Sequence, residues 1–161
     1  MRKNAVSGLC KLSFLSIMTL LFSLVKLQAQ SDFPVGTGTV GNDASTFPAL
    51  FPDKVEGSRA QYLFLASELQ AAGLSRGFIT GLKMNVISLN GAGDMPYTIK
   101  MGATNVNSLS TSAWEPSPTQ YFTADSYQPV EGENTFAFTD KFFWNGTSNI
   151  LVEICTNGGN F

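Results

Sequence analysis

Residues 134–155 read NTFAFTDKFFWNGTSNILVEIC. Phe136 and Phe138 alternate with Ala137 and Thr139, the period-two signature of a half-buried strand. Phe142, Phe143 and Trp144 follow. Asn145-Gly146-Thr147-Ser148-Asn149 then supplies turn chemistry, because Asn and Gly tolerate positive φ. The run from Ile150 to Cys155 puts Ile150, Val152 and Ile154 on one face. This is the densest aromatic and β-branched segment of the chain, and it predicts a hairpin that anchors the core.

Upstream, residues 59–65 alternate as a strand, with Tyr62 and Phe64 on one side. Ser67 to Gly73 reads as a short helical turn that Ser67 caps and Gly73 ends. Residues 77–89 form a strand with Leu82, Met84 and Val86 inward. Residues 96–103 return with Tyr97, Ile99 and Met101 on one face. Residues 105–119 are a polar loop carrying one bulky residue, Trp114. Residues 120–123 and 127–130 supply short strands, and 131–134 turns into the anchoring hairpin. Short strands at this spacing, separated by turn signals, predict an all-β, antiparallel sandwich of jelly-roll-like form with one short helix. Residues 31–57 are rich in Gly and Pro, which weaken strands. They predict an irregular or edge segment with Phe33, Phe47 and Phe51 as plugs.

Residues 1–29 are read as a signal peptide. Arg2, Lys3 and Lys11 precede an apolar run ending at Val25, and Ala29 offers a small residue for cleavage. The run of about 14 residues is short for a membrane span of roughly 20. Residues 30–161 are then a single secreted or cell-surface module with no membrane span. Without Arg2, Lys3, Lys11 and Lys26, six basic residues face twelve acidic ones, a net charge of about −6. That balance argues against nucleic acid, which needs clustered Lys and Arg. Cys155 alone remains of the two cysteines. It is either a buried apolar filler or half of a disulfide whose partner lies beyond Phe161. The chain stops soon after a strong strand, so the module reads as incomplete at its C-terminus. A missing strand would leave an open edge along 150–155.

The chain contains no histidine, which removes Ser-His-Asp and Cys-His catalysis and His-ligated zinc. Gly36-Thr37-Gly38-Thr39 lacks the lysine and the helix of a phosphate loop. Glu131 and Glu133 read as solvated turn acids. Calcium has two candidate loops, Asn90-Gly91-Ala92-Gly93-Asp94 and Asn42-Asp43, though neither has the acid spacing of a dedicated calcium loop. No other cofactor is implied. Trp114, Tyr121 and Tyr127 are the candidate ligand contacts, an aromatic platform on which sugar faces can stack. Trp144 reads as core. Asn145-Gly146-Thr147 fits the glycosylation triplet, but its turn role already explains it.

The succession GTGT at 36–39, QYLFLASELQAAGL at 61–74, FITGLKMNV at 78–86, GAGDMPYTIKMGAT at 91–104 and FFWNGTSNILVEIC at 142–155 resembles a recurrent N-terminal module. That module occurs in secreted, multidomain surface proteins of Bacteroidota, which carry fibronectin type III or immunoglobulin-like repeats and end in a type IX secretion sorting domain. The resemblance implies an extracellular β-sandwich with no catalytic residues of its own, whose partners are downstream domains of the same polypeptide, and glycans or surface proteins. Three functional readings follow: a non-catalytic adhesion or scaffolding module, a carbohydrate-binding accessory domain, or part of a secreted hydrolase. The signal reading predicts that N-terminal sequencing of the exported protein begins at Gln30.

Overall fold

Alternating apolar residues and short turns give six strands and one helix among the residues described by the computed structural model, which are 31–36, 50–51, 57–89 and 93–156. In chain order these are β1 (Arg59–Phe64), α1 (Ala66–Ala71), β2 (Gly77–Val86), β3 (Met95–Thr104), β4 (Thr119–Tyr127), β5 (Gly132–Trp144) and β6 (Asn149–Cys155), all within the unit that begins at Phe33. β1 pairs with β6, β2 with β5 and β3 with β4, each antiparallel. The chain is therefore a long hairpin, folded at the loop 105–118 and rolled up. Rolling sets β6 beside β3, which gives a four-stranded sheet β1-β6-β3-β4 and a two-stranded sheet β2-β5. This is the jelly-roll-like antiparallel sandwich that the strand pattern predicts. Among the described residues no helix is long and apolar enough to cross a membrane.

The core is aromatic and spans both sheets. Tyr97 on β3 stacks on Phe136 of β5 at 5.2 Å, and Phe51 stacks on Tyr97 at 5.1 Å. Ile99, Met101, Ile150, Val152 and Ile154 fill the inner face of the larger sheet. Phe51 is thus the plug expected of it, whereas Phe33 is exposed and Phe47 lies outside the described residues.

The hairpin expected over 134–155 does not form. β5 and β6 lie in different sheets, and 145–148 carries the chain from one to the other. The turn has its own logic. Asn145 Oδ1 accepts from the Thr147 and Ser148 amides at 2.9 and 2.8 Å, and the Trp144 indole N–H donates to the Ser148 carbonyl at 2.7 Å. Every residue of β6 from Ile150 to Cys155 is buried, as befits a central strand covered on both faces. β6 sits between β1 and β3, so its edges are paired and the open edge expected there is absent.

Residues 120–123 and 127–130 were expected as two strands. The first is part of a single longer strand, β4, and 128–130 lies outside it. β4 carries an extra residue at Tyr121 against Ile99 and Lys100, and another before Tyr127. Bulges of this kind break strict alternation. In consequence neighbouring Tyr121 and Phe122 both meet β5, at Phe142 (5.6 Å) and Phe136 (5.2 Å).

The helix also starts differently. Leu65, not Ser67, is the N-cap, and its amide donates to Glu68 Oε2 at 2.9 Å. Asn149 Oδ1 accepts from the Ala66 amide, so β6 supplies a cap that local sequence does not reveal. Gly73 ends the helix as expected. At φ +96° it lets the Leu74 amide reach the Leu69 carbonyl and its own amide reach Gln70, the Schellman arrangement.

Gly81 lies beside the register shift of β2 and β5, where an added Cβ would stand 2.5 Å from the Phe136 carbonyl oxygen. Gly81→Ala is expected to cost about 1–3 kcal/mol in urea denaturation. Gly93→Ala, with nothing within 4 Å, should change stability by less than about 0.5 kcal/mol.

Candidate functional site

Val152 and Ile154 face the core, so strand alternation turns Glu153 to the outer face of the four-stranded sheet. There it stands directly opposite Gln61 of β1 and Lys100 of β3. It is nonetheless 0 % exposed, because the segment after β3 returns across it. Glu153 Oε2 accepts from Arg59 Nε (3.0 Å), Arg59 Nη2 (2.7 Å) and Gln61 Nε2 (2.8 Å). Oε1 accepts from Ser117 Oγ (2.6 Å) and Lys100 Nζ (3.2 Å). Burial alone would raise the pKa of this carboxyl, but the donors Ser117, Arg59, Gln61 and Lys100 outweigh it and hold the group at about 2. The carboxylate is ionised at neutral pH and has little remaining capacity to accept.

The same residues tie down the loop 105–118. The Gln61 amide donates to the Glu115 carbonyl at 2.9 Å and accepts from its amide at 3.0 Å, so a side chain pairs with the loop as a strand would. Ser117 is held between Lys100 and Glu153, and Pro118 lies against Gly102. At the other end, Asn149 Nδ2 donates to the Val106 carbonyl (2.8 Å) and Asn107 Oδ1 (3.0 Å). Between these ties, residues 110–114 stand in solvent. Trp114 immediately precedes the pinned Glu115 and is 57 % exposed. The Arg59 guanidinium covers its ring at 4.7 Å from the centroid, a cation–π contact.

Trp114, Tyr121 and Tyr127 do not form one platform. Trp114 lies against Arg59 on the outer side of the larger sheet. Tyr121 packs on Phe138 (5.5 Å) and Phe142, and Tyr127 on Tyr97 (5.4 Å) and Phe136 (5.0 Å), both on the inner side. Tyr127 also donates from its hydroxyl to Asn134 Oδ1. Trp144 is buried in the core, as expected. An exposed aromatic pair unforeseen from the sequence is Phe78 and Phe143. They stand opposite each other on β2 and β5 at 5.4 Å, with Arg76 over Phe143.

Of the calcium candidates, Asn42, Asp43, Asn90, Gly91 and Ala92 lie outside the described residues. The Asp94 carboxylate accepts from the Ser126 hydroxyl. Among the described residues no three His, Cys, Asp or Glu side chains converge. Glu133, read as a solvated turn acid, lies on β5 and pairs with Lys83 at 2.9 Å. Asn145 serves its turn. Cys155 is a buried free thiol, with Sγ 3.8 Å from Glu153 Oε1. Burial pushes its pKa up, and the Glu153 charge adds to this, so the thiol is not activated.

Arg59, Gln61, Lys100, Ser117 and Glu153 were not singled out by sequence reasoning. The available signal was the lone acid in ILVEIC, an otherwise apolar strand, with Arg59 and Gln61 two apart on one strand face. No family model, curated protein or solved structure matches the chain.

The low pKa of Glu153 has a definite sign. Its contribution is fully present above the unfolded value of 4.5 and is lost as pH falls toward 2. Urea titrations should show Glu153→Gln less stable than wild type by on the order of 3 kcal/mol at pH 7. The gap should narrow between about pH 4.5 and pH 2.

Proposed function

We propose that the chain is a non-catalytic extracellular module that serves adhesion or scaffolding within a larger secreted protein. The observation that carries this reading is Trp114, held out in solvent at the end of a loop that polar ties fasten to the sheet. A large apolar side chain of this kind, kept exposed and ordered, suits recognition, because little conformational freedom is lost on binding. The absence of histidine supports a non-catalytic role, as does a buried carboxylate saturated with donors and held ionised. Export rests on the signal-like residues 1–29. The cell-surface setting, with type IX secretion and attached fibronectin type III-like repeats, rests on the resemblance to Bacteroidota surface proteins.

The alternative is a carbohydrate-binding accessory domain of a secreted hydrolase. Trp114 favours it, since an exposed indole face can pack on a sugar. The inward placement of Tyr121 and Tyr127 leaves that indole without the aromatic neighbours a longer platform needs.

Trp114→Ala should leave the circular dichroism spectrum and melting midpoint unchanged. Beads coated with the full chain should be retained on plates bearing cell-envelope proteins, and the variant should lose at least about tenfold in retention, roughly 1.4 kcal/mol. Retention on plates of neutral polysaccharide alone would favour the alternative. Equal retention of variant and wild type would overturn recognition through Trp114. Hydrolysis of the polysaccharide by the chain would overturn the non-catalytic reading.

A further inference from the structure

Resting on the reading of Trp114 as a recognition residue, we infer that Glu153, which is itself buried, is the positioning residue of that surface and acts on Trp114 through Arg59. The path is short and each link is visible. Glu153 Oε2 takes both Nε and Nη2 of Arg59, at 3.0 and 2.7 Å, and so fixes the guanidinium. That guanidinium lies over the Trp114 ring at 4.7 Å. The same carboxylate oxygen takes Gln61 Nε2, and Gln61 pairs with the backbone of Glu115, next to Trp114. The ring of Trp114 and the backbone of the adjoining Glu115 are thus referred to one oxygen atom.

At Trp114 and the four residues before it, no burial replaces this hold. Residues 110–114 are exposed, so burial does not anchor them. The Asn149 contacts fasten the distant end, at Val106 and Asn107. Lys100 also binds Glu153, but through Oε1 and Ser117, on the side away from Arg59. The two oxygens therefore divide their work: Oε2 governs Trp114, and Oε1 governs the strand-proximal end of the loop. A neutral amide at 153 offers Arg59 no charge, and the guanidinium is free to turn to solvent and release the indole.

The test is fluorine NMR of the full chain labelled with 5-fluorotryptophan, which yields two resonances, Trp114 and Trp144, assigned with Trp114→Phe. In Glu153→Gln the Trp114 resonance should move more than halfway to its position in urea, while the buried Trp144 resonance stays. Retention of coated beads should fall to the Trp114→Ala level. Lys100→Met removes a partner of the same carboxylate without touching Arg59, and should leave the Trp114 resonance in place. If Glu153→Gln fails to fold, seen as movement of the Trp144 resonance, Arg59→Gln is read instead with the same expected shift. An unmoved Trp114 resonance in a folded variant overturns the inference, as does an equal shift in Lys100→Met. If the resonance shifts but Trp114→Ala retains full adhesion, the positioning stands and the adhesive reading falls.

Discussion

The Glu153 carboxylate imposes a constraint that reaches across three strands. An ionised group amid the Ile, Leu, Val and Cys of residues 150–155 is costly to bury unless donors surround it. Those donors come from β1, β3 and the loop 105–118, and they exist on one face of one sheet only. A one-residue slip of β6 would turn Glu153 into the apolar core, where Phe136, Ile99 and Met101 offer it no donor. The cluster therefore selects the register of the central strand. Replacing such clusters with apolar residues is often neutral for stability, so specificity is the stronger account of its presence.

The same arrangement relates the two faces of the larger sheet. Inward residues of β3 and β6 make an apolar core with β5, and outward residues of the same strands make a polar clasp for a loop without regular structure. The loop is where the rolled hairpin reverses, so topology alone would leave it standing off the sheet. Gln61 prevents this by pairing with Glu115 through its side chain. The exposed Trp114, the proposed recognition residue, is thereby tied to the sheet although it belongs to a loop.

Much of the architecture is legible in the sequence where burial is one-sided. Tyr97, Ile99 and Met101 alternate with polar residues, and the inward face of β3 follows directly. Partnership was less legible. Asn145-Gly146 signals a change of direction, but a tight turn can close a hairpin or cross a sandwich, and only the tertiary packing of β5 and β6 decides which. Continuous apolarity in 150–155, where alternation was sought, was the clue to a strand covered on both sides. Tyr121 and Tyr127 were misjudged as platform residues because Tyr121 is itself an extra residue in β4 and Tyr127 follows another, which alternation rules do not register. Trp114 was legible because its surroundings are polar in sequence as well as in space. Glu153 was not, since its partners lie 36 to 94 residues away along the chain.

The nested pairing has a kinetic consequence. β6, an inner strand of the larger sheet, is synthesised after both strands it pairs with, and the flanking residues Ser58 and Thr156, which bond to each other, are 98 residues apart. Closing so long a loop precedes the contacts that reward it, and topologies of this kind fold slowly. Until residue 155 has left the ribosome, β1 and β3 have no strand between them and the larger sheet cannot close. The larger sheet is consequently kept open until β6 has been made, a delay that suits passage through a membrane as an unfolded polypeptide, as the proposed export requires.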